Sequence, residues 1–154
     1  MASEETVEIL RRTPVLQFFE LDAMRVIANV ADIRRLRAYD VLFREGDRSD
    51  GAYVVLSGRI AVEREGGLAP VDAGPASLIG STALFTRTLR PATAVATQNA
   101  TVLRVSPTLM KRVLNEYPSA AAPMRDAVAA ELAGTASDAA EAMRAFERHL
   151  AGPA

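Results

Sequence analysis

The chain has 154 residues, a hydrophobic fraction of 49% and a formal net charge of −1, which together suit one domain with its own core. Cysteine is absent, which excludes disulfides, thiolate catalysis and Cys-based metal sites and fits a cytoplasmic protein. The charge gives no overall reason to expect nucleic acid, and no apolar run approaches the ~20 residues of a membrane span. The acidic N-terminus also lacks the apolar core of a secretory signal.

Two short helices are predicted within residues 1–30. The first extends from Ser3, its N-cap, to Arg12, because acidic residues in its first turn and arginines in its last turn complement the helix dipole. Pro14 ends it. Asp22 is predicted to cap the second helix, whose buried face consists of Ala23, Val26, Ile27 and Val30.

The middle part, residues 31–106, is predicted to be a β-barrel. From Ile33 onward the hydrophobic period is two, and short apolar runs alternate with turn residues. Ser57-Gly58 indicates a tight hairpin between the runs 53–56 and 59–62. The nearby arginines at 34, 35 and 37 fit either a nucleic-acid contact or, as we favour, the solvated face of a strand.

The last part, residues 107–154, is predicted to be helical and to belong to the same domain. Ser106-Pro107 is an N-cap followed by proline at the first helical position, and that helix ends before Pro118. In the long helix that restarts near Pro123, residues recur in steps of four, four and three: Met124, Val128, Leu132, Thr135, Ala139, Met143, Phe146 and Leu150. This stripe predicts packing either on the barrel or on a second subunit, which would give a homodimer.

The stretch Leu78–Ala96 has the composition of an anion site. Gly80 precedes a turn of small and polar residues, and Arg90 follows shortly after. Backbone N–H groups and a guanidinium can converge on one anionic group in such a stretch. Many surface loops carry a glycine and an arginine, so an ordinary loop is the alternative at this point.

Two sequence motifs, in the order in which they occur, resemble those of the cyclic-nucleotide-binding domain. This domain is shared by the bacterial catabolite activator protein, protein kinase A regulatory subunits and cyclic-nucleotide-gated channels. The first, at 41–62, is V-L-F-R-E-G-D-R-S-D-G-A-Y-V-V-L-S-G-R-I-A-V. The second is similar to the family's phosphate-binding cassette at 78–93, with I-G-S-T-A-L at 79–84 and R-P-A-T-A at 90–94. The resemblance implies an α+β fold, in which short N-terminal helices and a long C-terminal helix flank an antiparallel β-roll or jelly-roll barrel of about eight strands.

The resemblance also implies roles for individual residues. Arg90 would pair with the cyclic phosphate, backbone N–H groups of Ala83, Leu84 and Ala92 would help to hold it, and Gly80 would let the backbone turn close to the sugar. Thr135 would contact the purine, unless it only completes the helical stripe. The full implied set of ligand-binding residues is Gly80, Ser81, Thr82, Ala83, Leu84, Arg90, Pro91, Ala92, Thr93 and Thr135.

Ser81 departs from the family pattern, in which members that bind cyclic AMP or cyclic GMP well usually carry a glutamate that accepts a hydrogen bond from the ribose. A hydrogen bond to a charged acceptor is worth roughly 1.5–3 kcal/mol, so its loss would weaken binding by about one to two decades. Pro91 is a milder departure, because it removes a backbone donor after the arginine.

These observations predict a domain that senses cyclic AMP or cyclic GMP and signals through its C-terminal helix to an effector protein whose identity the sequence does not show. The alternative is an interaction or dimerisation module whose pocket is empty or holds another anion, such as a cyclic dinucleotide. A domain cut from a larger channel or transporter is a third interpretation. An enzyme is not expected: His149 is the only histidine and suits a helix C-terminal cation. No metal, further cofactor or membrane contact is expected. Direct DNA binding is not expected either, because no helix-turn-helix domain follows the long helix.

Overall fold

The computed structural model describes residues 4–64 and 69–131, apart from the side chains of Arg64 and Glu131. The α-helices are α1 (Glu4–Arg12), α2 (Leu21–Val30), α3 (Pro107–Glu116) and α4 (Ala121–Glu131). Short 3₁₀-helices cover Leu16–Phe18, Ser81–Leu84 and Pro118–Ala120. The strands are β1 (Asp32–Leu36), β2 (Val41–Phe43), β3 (Ala52–Ser57), β4 (Ile60–Arg64), β5 (Val71–Ala73), β6 (Leu78–Ile79), β7 (Ala92–Ala96) and β8 (Ala100–Val105).

The strands form two four-stranded antiparallel sheets, in the orders β1-β8-β3-β6 and β2-β7-β4-β5. The predicted α+β class and the eight-stranded antiparallel barrel are therefore confirmed. Most neighbouring strands are distant in sequence; for example, β8 pairs with both β1 and β3. Among the described residues, no helix has the length and apolar content needed to cross a bilayer.

Two hydrophobic cores lie on opposite faces of the sheet that contains β3. Tyr53 and Val55 point between the two sheets, where they pack with residues such as Ile60 of β4. Ala52 and Val54 point the other way, into a core that the helices cover. Alternation of side chains along a strand produces this division, and it explains why β3 is an almost continuous apolar run.

The predicted hairpin at Ser57-Gly58 is wrong. β3 pairs with β6 and β8, whereas β4 pairs with β5 and β7, so the chain crosses from one sheet to the other at this turn. Gly58 has φ +81° and passes so close to Asn99 that a Cβ would lie 2.2 Å from the Asn99 carbonyl oxygen. The sequence signals a reversal of the chain correctly, but it does not say which strands then pair.

The predicted start of α3 is confirmed, and that of α2 is wrong. Ser106 Oγ accepts a hydrogen bond from the Leu109 N–H at 3.1 Å, as an N-cap should. In contrast, α2 begins after Glu20, which makes no side-chain capping bond, so Asp22 lies within its first turn.

The buried face of α2 also differs from the predicted one. Ala23 and Ile27 are buried as expected, but Met24 and Ala28 join them, whereas Val30 is exposed. α2 lies between α1 and α3, so its buried face is broader than one stripe, and Val30 ends the helix at the surface.

Only the beginning of the predicted long helix is described. Pro123 lies in the first turn of α4, where a proline is tolerated, and Met124 and Val128 are buried against the other helices. The later stripe residues, together with Thr135 and His149, lie outside the described residues.

Candidate ligand-binding site

A cavity of about 610 Å³ lies beside β4, β5 and β6 and the 3₁₀-helix Ser81–Leu84. This volume is in the range of pockets that hold small organic ligands. Five of the residues implied by the resemblance line it: Gly80, Ser81, Thr82, Pro91 and Ala92. Apolar side chains, including Val62, Val71 and Ala73, form much of the remaining wall.

Other implied residues lie away from the cavity. Ala83 and Leu84 are buried, and the Ala83 N–H donates to the Gly80 carbonyl at 2.9 Å. Thr93 lies on β7, where its hydroxyl accepts a hydrogen bond from the Glu45 N–H at 2.9 Å. Thr135 lies outside the described residues.

The Arg90 side chain is buried, with 3% of its surface exposed, and it is held firmly. Its Nη2 donates to Asp50 Oδ1 at 3.1 Å and to the Gly51 carbonyl oxygen at 2.7 Å. The guanidinium carbon lies 4.1 Å from the centre of the Phe43 ring, within range of a cation–π contact. The Arg90 N–H also donates to the Asp47 carbonyl at 2.7 Å, so both ends of the residue are anchored to the β2–β3 segment.

Arg90 is not one of the residues that line the cavity, but its guanidinium lies close to one that does, Gly80. Gly80 has φ +75°, and a Cβ at this position would lie 2.8 Å from Arg90 Nη1, so a glycine is needed both for the turn and for the close approach. The Nε of Arg90 is buried and has no hydrogen-bond partner among the described residues. An unpaired buried donor costs roughly 1–3 kcal/mol.

Asp50 is the centre of a charged cluster that sequence reasoning missed. Its Oδ1 also accepts a hydrogen bond from the Tyr53 hydroxyl at 2.9 Å, and its Oδ2 accepts one from Arg34 Nη2 at 2.9 Å. Arg104 donates to the Asp50 carbonyl oxygen at 2.7 Å and to Asp32 Oδ2 at 2.6 Å. With Arg90 included, three guanidinium groups face two carboxylates, so the cluster is net positive.

The sequence model of the cyclic nucleotide-binding domain matches residues 33–117, which is more than half of the chain. The chain belongs to the cyclic nucleotide-binding domain family. The matched range contains the barrel, the cavity-lining part of the cassette and α3. The predicted family is confirmed.

Three relatives illustrate how far the likeness extends. A cyclic nucleotide-binding-like protein from Brucella abortus is 32% identical with a TM-score of 0.64, over 73% of this chain and 99% of that one. The N-terminal domain of a transcriptional regulator from Streptomyces coelicolor is 28% identical with a TM-score of 0.73, over 84% of this chain and 93% of that one. A Neurospora crassa lysophospholipase is 29% identical over 96 residues, which are 60% of this chain and 6% of that protein. The chain therefore spans only a small part of this curated relative.

The charge states of the cluster are set by burial and hydrogen bonding. Burial raises the pKa of Asp50, but the hydrogen bond from Tyr53 and the charge of Arg34 outweigh it, so the pKa lies below 3.8. Burial and the hydrogen bond to Asp50 raise the pKa of Tyr53 to about 12. Burial lowers the pKa of Arg90, and the electrostatic interactions with Tyr53 and with the Asp50 carboxylate oppose this. In this cyclic nucleotide-binding domain Asp50 is thus a carboxylate and Tyr53 a hydrogen-bond donor at neutral pH.

Proposed function

We propose that this domain binds a cyclic nucleotide such as cyclic AMP or cyclic GMP in the 610 Å³ cavity and reports it to a partner protein through its C-terminal helix. The observation that supports the proposal is the buried Arg90 guanidinium, which lies next to the cavity-lining residue Gly80. Membership of the family supports a regulatory ligand-binding role rather than an enzymatic one.

Arg90 suits a cyclic phosphate because its charge is fixed and partly desolvated. Its Nη2 is engaged by Asp50 and Gly51, while its Nε has no partner among the described residues. A phosphate oxygen next to Gly80 would therefore meet the positive charge without displacing these bonds. Charge-assisted hydrogen bonds of this kind are about twice as strong as neutral ones.

The rest of the ligand would find matching surfaces in the same cavity. Ser81 and Thr82 bring hydroxyl-bearing side chains to the wall for the sugar, and Val62 and Val71 bring apolar surface for a base. Ser81 is neutral and short, so the ribose would lack a charged acceptor at this position. We therefore expect weaker binding than that of family members with glutamate.

A path for the signal runs through the 3₁₀-helix Ser81–Leu84. Ser81 and Thr82 line the cavity, whereas Leu84 and the following Phe85 lie in the helix-side core with Met110 of α3 and Met124 of α4. A ligand that moves this short helix must therefore repack the core under the C-terminal helices. It can shift the equilibrium only by its different affinity for the two arrangements.

Calorimetric titration with cyclic AMP and with cyclic GMP tests the proposal. We expect heat of binding for the natural chain and for Arg87→Gln, a control on the exposed loop beside the site, and at least tenfold weaker binding for Arg90→Gln. Thermal unfolding of each variant establishes that the domain remains folded. The absence of binding heat for both nucleotides up to millimolar concentration would refute the proposal.

A second candidate function is an interaction module whose cavity is empty or accepts a different anion, such as a cyclic dinucleotide. Two observations favour it: the Arg90 charge is already compensated by Asp50 at 3.1 Å, and Ser81 supplies no acid. A titration with a cyclic dinucleotide tests the ligand. Analytical ultracentrifugation of the natural chain, Met143→Glu and Phe146→Glu tests dimerisation, and a monomer in every case would exclude the homodimer.

A further inference from the structure

The outer edge of β1 is open. β1 pairs with β8 on one side only, and no strand follows it in the sheet among residues 4–64 and 69–131. An edge strand directs alternate N–H and C=O groups outward, where another extended chain can pair with them. The edge therefore offers backbone hydrogen bonds that do not depend on any side chain.

The side chains beside this edge form a pattern of one apolar and two basic residues. Ile33 lies opposite Leu103 of the helix-side core, which places Ile33 and Arg35 on the outer face of the sheet. Ile33 is 51% exposed, and both Arg35 and Arg37 are exposed. Neither arginine forms an ion pair with a residue that the structure describes.

A polar groove of about 330 Å³ continues from this pattern. Both arginines line it, together with Ser57, Asn99 and Thr101. The Asn99 side-chain oxygen accepts a hydrogen bond from the Ala38 N–H at 3.0 Å, so the Asn99 amide nitrogen is the group left to bind a ligand. The groove thus combines two guanidinium groups with neutral donors, which is the chemistry that recognises carboxylates.

We propose that the β1 edge binds an acidic, extended segment of a partner protein, whose carboxylates contact the Arg35 and Arg37 side chains that also line this groove. The segment would add a strand to β1, with an apolar side chain against Ile33 and carboxylates against Arg35 and Arg37. Pairing of β1 with a second copy is disfavoured, because an antiparallel pair centred on Arg34 would bring the two Arg34 side chains opposite each other. Arg34 thus opposes this self-pairing, whereas Arg35 and Arg37 favour an acidic guest.

The test uses a fluorescein-labelled six-residue peptide in which two glutamates and one valine alternate with threonine, so that the glutamates and the valine share one face of an extended strand. Fluorescence anisotropy at low salt is the readout. The natural chain should bind it, and the double variant Arg35→Glu, Arg37→Glu should bind at least tenfold more weakly. Arg125→Glu is the matched control, because Arg125 is an exposed arginine on α4 outside the groove. The same peptide with lysine in place of glutamate should not bind, and N-methylation of its backbone should weaken binding at least tenfold by removing the donors that would pair with β1.

Several results would overturn the proposal. The proposal fails if the glutamate–valine peptide does not bind at millimolar concentration, or if the double variant binds it equally well. It also fails if oligothymidylate binds more tightly than the peptide, because that result would indicate a nucleic-acid site. Undiminished binding of the N-methylated peptide would refute strand addition. Circular dichroism shows whether the double variant is folded. Its response to cyclic nucleotides should be unchanged, so a failure of this proposal can be distinguished from a failure of the proposed ligand binding in the cavity.

Discussion

Replacing Gly80 by alanine should show how tightly the cavity wall and Arg90 are fitted together. Gly80 and Gly46 both have positive φ, +75° and +87°, where an alanine costs about 1–2 kcal/mol. A Cβ at Gly46 meets nothing within 4 Å, whereas a Cβ at Gly80 lies 2.8 Å from Arg90 Nη1. To relieve this contact the guanidinium must move and lengthen its bonds to Gly51 and Asp50, which are worth roughly 1.5–3 kcal/mol for a charged donor.

We therefore expect Gly46→Ala to lower the free energy of unfolding by about 1–2 kcal/mol and Gly80→Ala to lower it by about 2–4 kcal/mol. Urea denaturation at neutral pH measures both values, and an unchanged slope against urea shows that each variant exposes as much surface on unfolding as the natural chain. Gly80→Ala should also weaken the binding of an anionic ligand, while Gly46→Ala should not. Equal losses of stability for the two variants, within about 0.5 kcal/mol, would show that Arg90 is not pressed against Gly80.

Three further predictions concern the site and its support. Ser81→Glu should strengthen cyclic-nucleotide binding by about ten- to hundredfold in calorimetry, because the ribose gains a charged acceptor, and unchanged affinity would argue against a ribose there. The pKa of Asp50 lies below 3.8 in the folded chain, so Asp50 contributes stability that is present above that pH and is lost as the pH falls through the folded value. Asp50→Asn should therefore be less stable than the natural chain at pH 7, but it should lose less stability between pH 5 and pH 2. Acid denaturation measures this, and parallel curves of stability against pH for the two proteins would contradict it. Ser106→Ala should cost about 1 kcal/mol in urea denaturation, because it removes the cap of α3, and no change would mean that the hydroxyl is replaced by water.

The local parts of the site could be predicted from sequence, but its long-range pairs could not. The cassette residues Gly80 and Arg90 lie ten positions apart in a recognisable motif, and the structure places them in contact. The partner of Arg90 is Asp50, which is 40 residues away on another segment. Only the folded sheet brings the two together, and the sole signal in the sequence was an acid directly before Gly51.

Strand pairing shows the same limit. Period-two patterns located the strands well, because alternation of side chains is a local property. Which strands pair is decided by the packing of whole sheets, and for this reason the Ser57-Gly58 turn joins two sheets instead of two partners. The cap of α3 was predictable since serine followed by proline is a local signal, whereas Glu20 starts α2 without a capping side chain.

The division of β3 and β8 between two cores has a mechanical consequence. Each strand carries barrel residues on one face and helix-contacting residues on the other, such as Val55 and Val54 on β3. Because both faces share one backbone, a displacement that strains the barrel interior must displace the helix layer by a similar distance. A substitution that expands the barrel at Val102 should therefore be felt at Met110, in the core on the other face of the sheet.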